Sequence, residues 1–550
     1  MKSIGRFCFL VLASGMALAQ ANPPSSSTVA DDLKAMREAI AAQQKQIAQQ
    51  QQQIESLTKA LDAKTTVAPH VENAALTNNA PVNNTPNIQS DVDKPKESPL
   101  SFRIGGAEFT PGGFLDFENV FRSTNTGNVS ATNFWAIPFS NTTAGHLTEY
   151  RSTGQYSRIN LKVTEKFKGN DVTGYAEADF NGNDAANVFV SSNSHTLRLR
   201  LYWVDVKRDK WEILAGSTWG LQTPNRVGIS PAPADLAITL GEDAQTHIGL
   251  NYTRAAAIRF GYHATDKFAI AVEAQNPQQF VGQGAEVAFP AQFSAALSGV
   301  QLDNAATPTT PNLSPDIIAK FAYDTTMGAR HFHLEGGGIM TTAKVAVIPS
   351  VAGAAITTHS LVEGGIIGAA NIEVVKNVRF LASGMWGPGV GRYAIGMGPQ
   401  VVVQPVAATA GGTCLNGATG GCDVHLSPVH AGDLLLGVET QVGPKTQIAA
   451  YYGGAYFQRN AFPDLTAAGA VKPIIGFGGA AQAAAGVQNR ALQEGTVDFI
   501  QTFWKSPQYG SLLTILQGSY VTRSPWFVAA GAPKNAHLGM GFVSLRYVLP

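Results

Sequence analysis

The chain has 550 residues, and only 14% of them are charged, against roughly 25% in soluble globular domains. Its 39 basic and 39 acidic residues balance, so bulk charge gives no support for a nucleic-acid partner. A helical membrane protein is excluded as well, because no segment beyond the N-terminus offers the roughly 20 apolar residues that a spanning helix needs. A shortage of charge without such helices favours a barrel with an uncharged outer wall.

The first residues have the features of a secretory signal peptide, predicted over 1–21. Lys2 and Arg6 precede an apolar stretch over 7–18, and two small-residue cleavage triplets follow it. The stretch is too short for the alternative, a membrane anchor. Met16 stands where a lipoprotein has its modified cysteine, so lipid attachment is not expected.

A heptad repeat follows over residues 30–62. Its apolar a positions recur every seven residues, at Leu33, Ile40, Ile47, Ile54 and Leu61. The run consists of strong helix formers without Gly or Pro and predicts a coiled-coil stalk, the alternative being a Gln-rich disordered tract. Because one helix cannot bury this seam alone, the stalk predicts an oligomer. The Asn- and Pro-rich residues 63–100 are predicted to be a flexible linker.

Residues 101–550 alternate apolar and polar side chains in short bursts, the pattern of β-strands with two different faces. We predict sixteen strands, at 109–122, 157–167, 172–180, 196–206, 211–220, 247–263, 268–276, 317–323, 330–341, 358–374, 378–387, 431–442, 447–457, 496–505, 511–523 and 537–549. Short turns and long loops connect them alternately, as in outer-membrane barrels, and both termini then fall on the short-turn, periplasmic side. Since a sheet in lipid must pair every edge, the predicted fold is all-β, a closed antiparallel transmembrane barrel.

The fourth strand shows the alternation best. A strict period of two places Leu197, Leu199, Leu201 and Trp203 on the lipid face, opposite Arg198, Arg200 and Tyr202. The same reasoning predicts seven pore-lining residues, namely Arg158, Lys162, Arg198, Arg200, Tyr202, Arg259 and Arg379. This basic wall predicts an anion-preferring pore, unless Glu177 and Asp179 neutralise it.

A long loop over 221–246 is the candidate constriction. Its acidic residues Asp235, Glu242 and Asp243 would face the arginine wall if the loop folds into the barrel, and a surface loop is the alternative. Cys414 and Cys422, in another long loop, are predicted to form a disulfide, because an exported protein passes through an oxidising compartment. The alternatives are free thiols or half of a metal site.

The sequence gives no reason to expect an enzyme. It contains no nucleophile-elbow, zinc-helix or phosphate-loop motif, and so predicts neither catalytic residues nor a cofactor. His331 and His333 stand two apart on one strand face, a geometry that can bind a metal. With only Glu335 beside them, they are interpreted as polar lining, and no metal is expected.

The order of signal peptide, heptad stalk, polar linker and barrel resembles the DcaP-like family of trimeric outer-membrane porins. Three local sequences agree with this resemblance: Tyr-Ser-Arg-Ile at 156–159, Ala-Gly-Ser-Thr-Trp at 215–219, and Gly-Pro-Gly-Val-Gly-Arg-Tyr at 387–393. The resemblance implies a sixteen-stranded trimer with a periplasmic coiled coil that passes small, often anionic or aromatic, carboxylates. The cysteine loop and the Leu-Pro ending depart from the family pattern.

Together these features predict an outer-membrane porin, a passive channel for small hydrophilic solutes with a preference for anions such as carboxylates. The alternative is a structural barrel that anchors the stalk for envelope spacing. The expected partners are outer-membrane lipid, further copies of the chain in a homotrimer, and small anionic solutes. The expected location is a Gram-negative outer membrane with the stalk in the periplasm.

Overall fold

The structure is a computed structural model that describes residues 98–128, 131–182, 195–283, 286–305, 310–414, 420–480 and 486–550. The predicted signal peptide, the coiled coil with its seam, and the linker up to residue 97 lie outside the described residues. They therefore stay predictions.

The described residues form twenty-two strands and one short α-helix. The strands are β1 (Phe102–Ile104), β2 (Ala107–Arg122), β3 (Glu149–Thr153), β4 (Arg158–Phe167), β5 (Asn170–Asp179), β6 (Arg198–Arg208), β7 (Trp211–Trp219), β8 (Arg254–Thr265), β9 (Phe268–Gln275), β10 (Asp316–Met327), β11 (Arg330–Val347), β12 (Thr357–Val375), β13 (Val378–Pro388), β14 (Val401–Ala407), β15 (Cys422–Pro428), β16 (His430–Gly443), β17 (Thr446–Phe457), β18 (Asn460–Pro463), β19 (Ile474–Phe477), β20 (Asn489–Ser506), β21 (Gly510–Pro525) and β22 (Ala536–Val548). The α-helix, α1, spans Ser294–Leu297, and 3-10 turns lie at Phe134–Ala136, Ala144–His146, Pro233–Asp235 and Gly391–Tyr393. Among the described residues, no helix has the length and apolar character to cross a membrane.

Eighteen of these strands form one antiparallel sheet that closes on itself, since β2 pairs with β22. The sheet has sixteen wall positions, because β3 and β4 pair in succession with the two halves of β2, and β1 only extends the β2 hairpin. The predicted closed barrel of sixteen strands is confirmed. The two remaining hairpins, β14–β15 and β18–β19, lie within long loops.

The two faces of the wall differ as the alternation predicts. On β2, Leu115 and Phe117 are 58% and 55% exposed on the outside, whereas Asp116 and Glu118 are buried inside. Both described chain ends lie near the start of β2, where Ser98 Oγ donates to the carbonyl oxygen of Pro550 at 3.0 Å. The barrel therefore has an apolar exterior, a polar interior, and its described ends on the side of the short turns.

A β-bulge in β6 overturns the predicted alternation of the fourth strand. Glu177 pairs with Leu201 and the next residue of β5 pairs with Leu199, so Arg200 is the extra residue. Beyond it every side chain changes face: Leu201 is 0% exposed, and Tyr202 is 46% exposed on the outer wall. The prediction that Tyr202 lines the pore is therefore wrong.

The predicted strand over 247–263 is only half a strand. Strand β8 begins at Arg254, and the preceding residues fold into the barrel, where Ile248 and Leu250 are completely buried. Gly249 adopts a φ of +95°, and a Cβ there would lie 2.1 Å from the carbonyl oxygen of Leu434. The apolar side chains of this stretch therefore pack inside the barrel and do not face lipid.

The long loops pack on one another at the end opposite the short turns. Ala288 and Gly476, from two different loops, exchange backbone hydrogen bonds of 3.0 Å. Cys414 and Cys422 lie in a third loop, where both are buried thiols and the Cys422 thiol is 2.7 Å from the carbonyl oxygen of Cys414. The structure thus differs from the predicted disulfide, since both sulphurs lie against backbone carbonyls.

Candidate functional site in the barrel lumen

The connection between β7 and β8, residues 220–253, folds into the barrel and is called the inner segment below. Its backbone N–H groups donate to wall carboxylates on several strands: Leu221 to Glu273 (2.9 Å), Asn225 to Glu335 (3.1 Å), Gly228 to Asp324 (3.0 Å) and Ile248 to Glu494 (2.9 Å). These acceptors belong to β9, β11, β10 and β20, so the segment crosses the lumen from one side of the wall to the other.

One ion pair anchors the middle of this crossing. Arg226 donates twice to Glu439 on β16, with both N–O distances at 2.7 Å and both side chains buried. Tyr451 on β17 donates to the same carboxylate at 2.7 Å and accepts the backbone N–H of Leu240 at 3.1 Å. A bidentate, buried guanidinium–carboxylate pair is among the most directional contacts available to a protein.

The acidic residues predicted for the constriction all lie in the inner segment, but they have separate partners. Asp235 accepts the hydroxyl of Ser230 at 2.6 Å within the segment itself. Glu242 lies 2.5 Å from Arg546 on β22, an arginine that the sequence analysis missed. Burial raises the pKa of the Glu242 carboxyl to about 8, and the charge of Arg546 opposes that rise.

Asp243, the third of these residues, is committed to backbone groups. Its Oδ1 accepts the N–H of Thr132 at 3.1 Å and that of Gln245 at 2.9 Å. Burial also raises the pKa of this carboxyl above its usual range. Neither Asp243 nor Asp235 pairs with a predicted wall arginine in the described part of the chain.

Arg198 and Arg200, two of the predicted pore-lining arginines, are neutralised by carboxylates on β5. Arg198 contacts both oxygens of Asp179, at 3.0 and 2.7 Å, and Arg200 contacts Glu177 at 2.8 Å and Asp179 at 3.1 Å. Two arginines therefore face two carboxylates. The alternative left open by the sequence, that these residues pair within the wall, is what the structure has.

Two other arginines, Arg158 on β4 and Arg254 at the start of β8, have no carboxylate within 4 Å in the described chain. Each guanidinium lies against an aromatic ring instead, 5.3 Å from the centroid of Phe114 for Arg158 and 5.4 Å from that of Trp219 for Arg254. Both border a space of about 80 Å³ between the wall and the inner segment, called the arginine passage below. Its lining includes Arg158, Arg200, Arg254, Arg546, Tyr156 and Glu242.

Arg254 was missed although the sequence carried a signal for it. It is the one charged residue among the apolar positions of the predicted strand 247–263. That exception marks the point where the inner segment ends and the wall begins, and there an arginine can face the lumen.

The remaining predicted pore residues are dispersed. Arg259 is buried and paired with Glu273 at 2.8 Å, Arg379 is buried on β13, and Lys162 is exposed on β4. His331 and His333 lie 3.1 and 2.8 Å from the carboxylate of Asp324. The same carboxylate accepts a hydrogen bond from the backbone N–H of Gly228 in the inner segment. These histidines support the anchoring of that segment.

No protein-family model matches the chain, and no curated protein matches it. Among solved structures it is similar to the outer membrane channel DcaP of Acinetobacter baumannii, with 13% identity, a TM-score of 0.53, and coverage of 81% of this chain and 98% of that chain. It is less similar to an anion-selective porin from Comamonas acidovorans, with 9% identity, a TM-score of 0.43, and coverage of 80% and 100%. Salmonella typhi OmpF in complex with daunomycin gives 11% identity, a TM-score of 0.41, and coverage of 82% and 100%.

Of these three likenesses, the one to DcaP is close enough to indicate a common fold. It extends over nearly the whole of the DcaP chain, and its low identity limits it to the fold alone. The resemblance drawn from the sequence is confirmed at that level. The chain has the barrel fold of the DcaP outer-membrane channel.

Proposed function

We propose that this protein is a passive outer-membrane channel for small hydrophilic solutes and that it prefers anions. The observation that carries the proposal is the arginine passage, where Arg158 and Arg254 face the lumen without a carboxylate partner in the described chain. An apolar outer wall around a polar interior supports the membrane location. The fold shared with the outer membrane channel DcaP supports the same class.

The electrostatics of the passage favour an anion by a useful margin. At about 7 Å, one unpaired charge attracts an anion by roughly 0.6 kcal/mol in bulk water and about 2.4 kcal/mol at an effective dielectric constant of 20. Two such charges are therefore enough for about a tenfold preference, and added salt weakens it. Carboxylates suit the site, because a guanidinium binds them through two parallel hydrogen bonds.

Single-channel recording in a planar bilayer with a KCl gradient tests this function. The wild type should conduct, with a reversal potential on the anion side. The double variant Arg158→Gln/Arg254→Gln should keep the conductance and lose most of the anion preference. The double variant Arg158→Lys/Arg254→Lys retains both charges and should keep the anion preference. A folded protein that passes no current would instead favour the structural barrel that only anchors a stalk.

We also propose that the channel is a homotrimer joined in part by the coiled-coil stalk. The support is the unbroken seam at Leu33, Ile40, Ile47, Ile54 and Leu61, which a single helix cannot bury by itself. Deleting residues 30–64 should lower the temperature at which the oligomer dissociates on a semi-native gel. Unchanged heat resistance would contradict a role of the stalk in assembly.

A further inference from the structure

Three carboxylates from the wall and the inner segment meet beside the arginine passage. Asp116 and Glu118 project inward from β2, and Glu242 projects from the inner segment. One oxygen of each lies within 4.8 Å of the others, and all three side chains are buried. These three residues are called the carboxylate cluster below. Ionised carboxylates so close together repel one another unless a cation lies among them.

Among the described residues, one basic side chain, that of Arg546, lies in ion-pair contact with the cluster. Arg546 lies 3.1 Å from Asp116 and 2.5 Å from Glu242, and the hydroxyl of Ser544 donates to the other oxygen of Asp116. Glu242 Oε1 has no hydrogen-bond partner in the described part of the chain. When all three carboxylates are ionised, as cation binding requires, the one guanidinium in contact with them leaves two negative charges to be balanced.

Glu118 gives an independent indication that something is bound. It is 0% exposed, and within the described residues neither of its carboxylate oxygens has a hydrogen-bond partner. Arg546, the cluster's one arginine, contacts the other two carboxylates and not this one. Burial of an unpaired carboxylate is costly, so buried charges in proteins are paired or coordinate a metal.

We propose that the carboxylate cluster binds one Ca²⁺ ion and that this ion ties the inner segment to the barrel wall. Ca²⁺ takes six to eight oxygen ligands at about 2.3–2.6 Å, so two of its ligands lie at most about 5 Å apart, a limit that the cluster satisfies. Glu118 offers two free oxygens and Glu242 one, and Asp116 offers an oxygen that it shares with Ser544. Water from the passage completes the coordination.

The choice of Ca²⁺ over other cations follows from the ligands. The cluster offers only oxygen atoms, which suit hard cations and not the softer metals that select sulfur or imidazole. Mg²⁺ demands near-ideal octahedral geometry and keeps several of its own waters, whereas Ca²⁺ tolerates an irregular set of carboxylates. A site shared between a rigid strand and a folded-in loop is of the irregular kind.

Calorimetric titration with CaCl₂ tests the proposal. The protein should be refolded into detergent, free of lipopolysaccharide, and treated with a chelator before titration. We expect one Ca²⁺ per chain in the wild type and binding at least about tenfold weaker in Glu118→Gln, which removes a ligand charge while keeping its shape. Glu286→Gln is the matched control, because Glu286 is an equally buried glutamate outside the cluster. The Ca²⁺ affinity of this variant should equal that of the wild type.

Two results would contradict the proposed site. One is that the wild type shows no saturable Ca²⁺ binding, and the other is that Glu118→Gln binds Ca²⁺ as tightly as the wild type. If Glu118→Gln does not fold, Glu242→Gln takes its place, since that residue lies in the inner segment and outside the wall. Binding in detergent is measured without any current, so its failure is distinct from the failure of the proposed channel function.

Discussion

Arg226 binds Glu439 through two hydrogen bonds of 2.7 Å, and this pair holds the inner segment against the far wall of the barrel. Both side chains are buried, and Tyr451 binds the same carboxylate. The lumen therefore owes its shape to a small number of directed contacts, each of which is open to a specific test.

Arg226→Ala should release the inner segment. The change leaves the buried carboxylate of Glu439 without its counter-charge, and breaking a buried pair in this way costs about 3–5 kcal/mol. The measurements are limited proteolysis within residues 220–253 and urea unfolding in detergent. Lys166→Ala, which removes an ion pair whose side chains are 87% and 61% exposed, is the control and should change little. Equal stability of the two variants would contradict the anchoring role.

Gly249→Ala should displace the same segment for a steric reason. Its φ of +95° disfavours any side chain, and the new Cβ would lie 2.1 Å from a wall carbonyl oxygen. Gly228→Ala is the matched control, because Gly228 also has a positive φ, +57°, but no atom lies within 4 Å of the place its new methyl group would take. The control should cost only about 1–2 kcal/mol. We expect Gly249→Ala alone to expose the segment to protease.

Tyr202→Lys tests the bulge in β6. Because the bulge turns Tyr202 outward, a lysine there would face lipid and destabilise the barrel by up to about 2–4 kcal/mol. Tyr202→Phe, which keeps the ring and adds no charge, should fold like the wild type. The measurement is the folded fraction on a semi-native gel over a series of urea concentrations. A lysine variant as stable as the phenylalanine variant would mean that this residue faces the lumen after all.

Glu286 should make stability fall as the pH rises. Burial among the long loops raises the pKa of this carboxyl well above its ordinary value, so the folded protein holds a proton that the unfolded chain has lost. The stabilisation that Glu286 gives the folded state is complete below the ordinary pKa of a glutamate. It is lost as the pH rises toward the raised pKa of the folded protein. Glu286→Gln, which mimics the protonated acid, should flatten this dependence. The measurement is the thermal unfolding temperature of both proteins at pH 5 and pH 9. An equal change in that temperature for the wild type and Glu286→Gln would contradict this prediction.

The wall of the barrel was predictable, because each wall strand obeys a local rule. Alternation located the strands to within a few residues in most cases, and the short turns fixed their order. The rule failed at Arg200, where one extra residue in β6 exchanges the faces. The polar positions do change from even numbers at Arg198 and Arg200 to odd numbers at Asp205 and Lys207, but the apolar run 201–204 between them hides where the change occurs.

The lumen was less predictable, because its residues are brought together by contacts distant in sequence. Arg226 and Glu439 are separated by 213 residues, and no local pattern links them. The segment at Ile248 and Leu250 alternates as a lipid-facing strand would, yet it is buried inside, since a packed lumen and a lipid layer both accept apolar side chains. The sequence also could not show that Arg198 has a carboxylate partner and that Arg254 has none in the described chain. That depends on which carboxylates the neighbouring strands place beside each arginine.

The wall also holds the inner segment by its main chain at four places, and this has an evolutionary consequence. Glu273, Glu335, Asp324 and Glu494 all accept backbone N–H groups, which every residue except proline carries. Apart from anchoring positions such as Arg226, Glu242 and Gly249, residues of the segment can therefore change from one descendant to the next while the barrel still holds it in place. A lineage could acquire a preference for a new solute by substitutions in one short stretch, leaving the scaffold inherited intact.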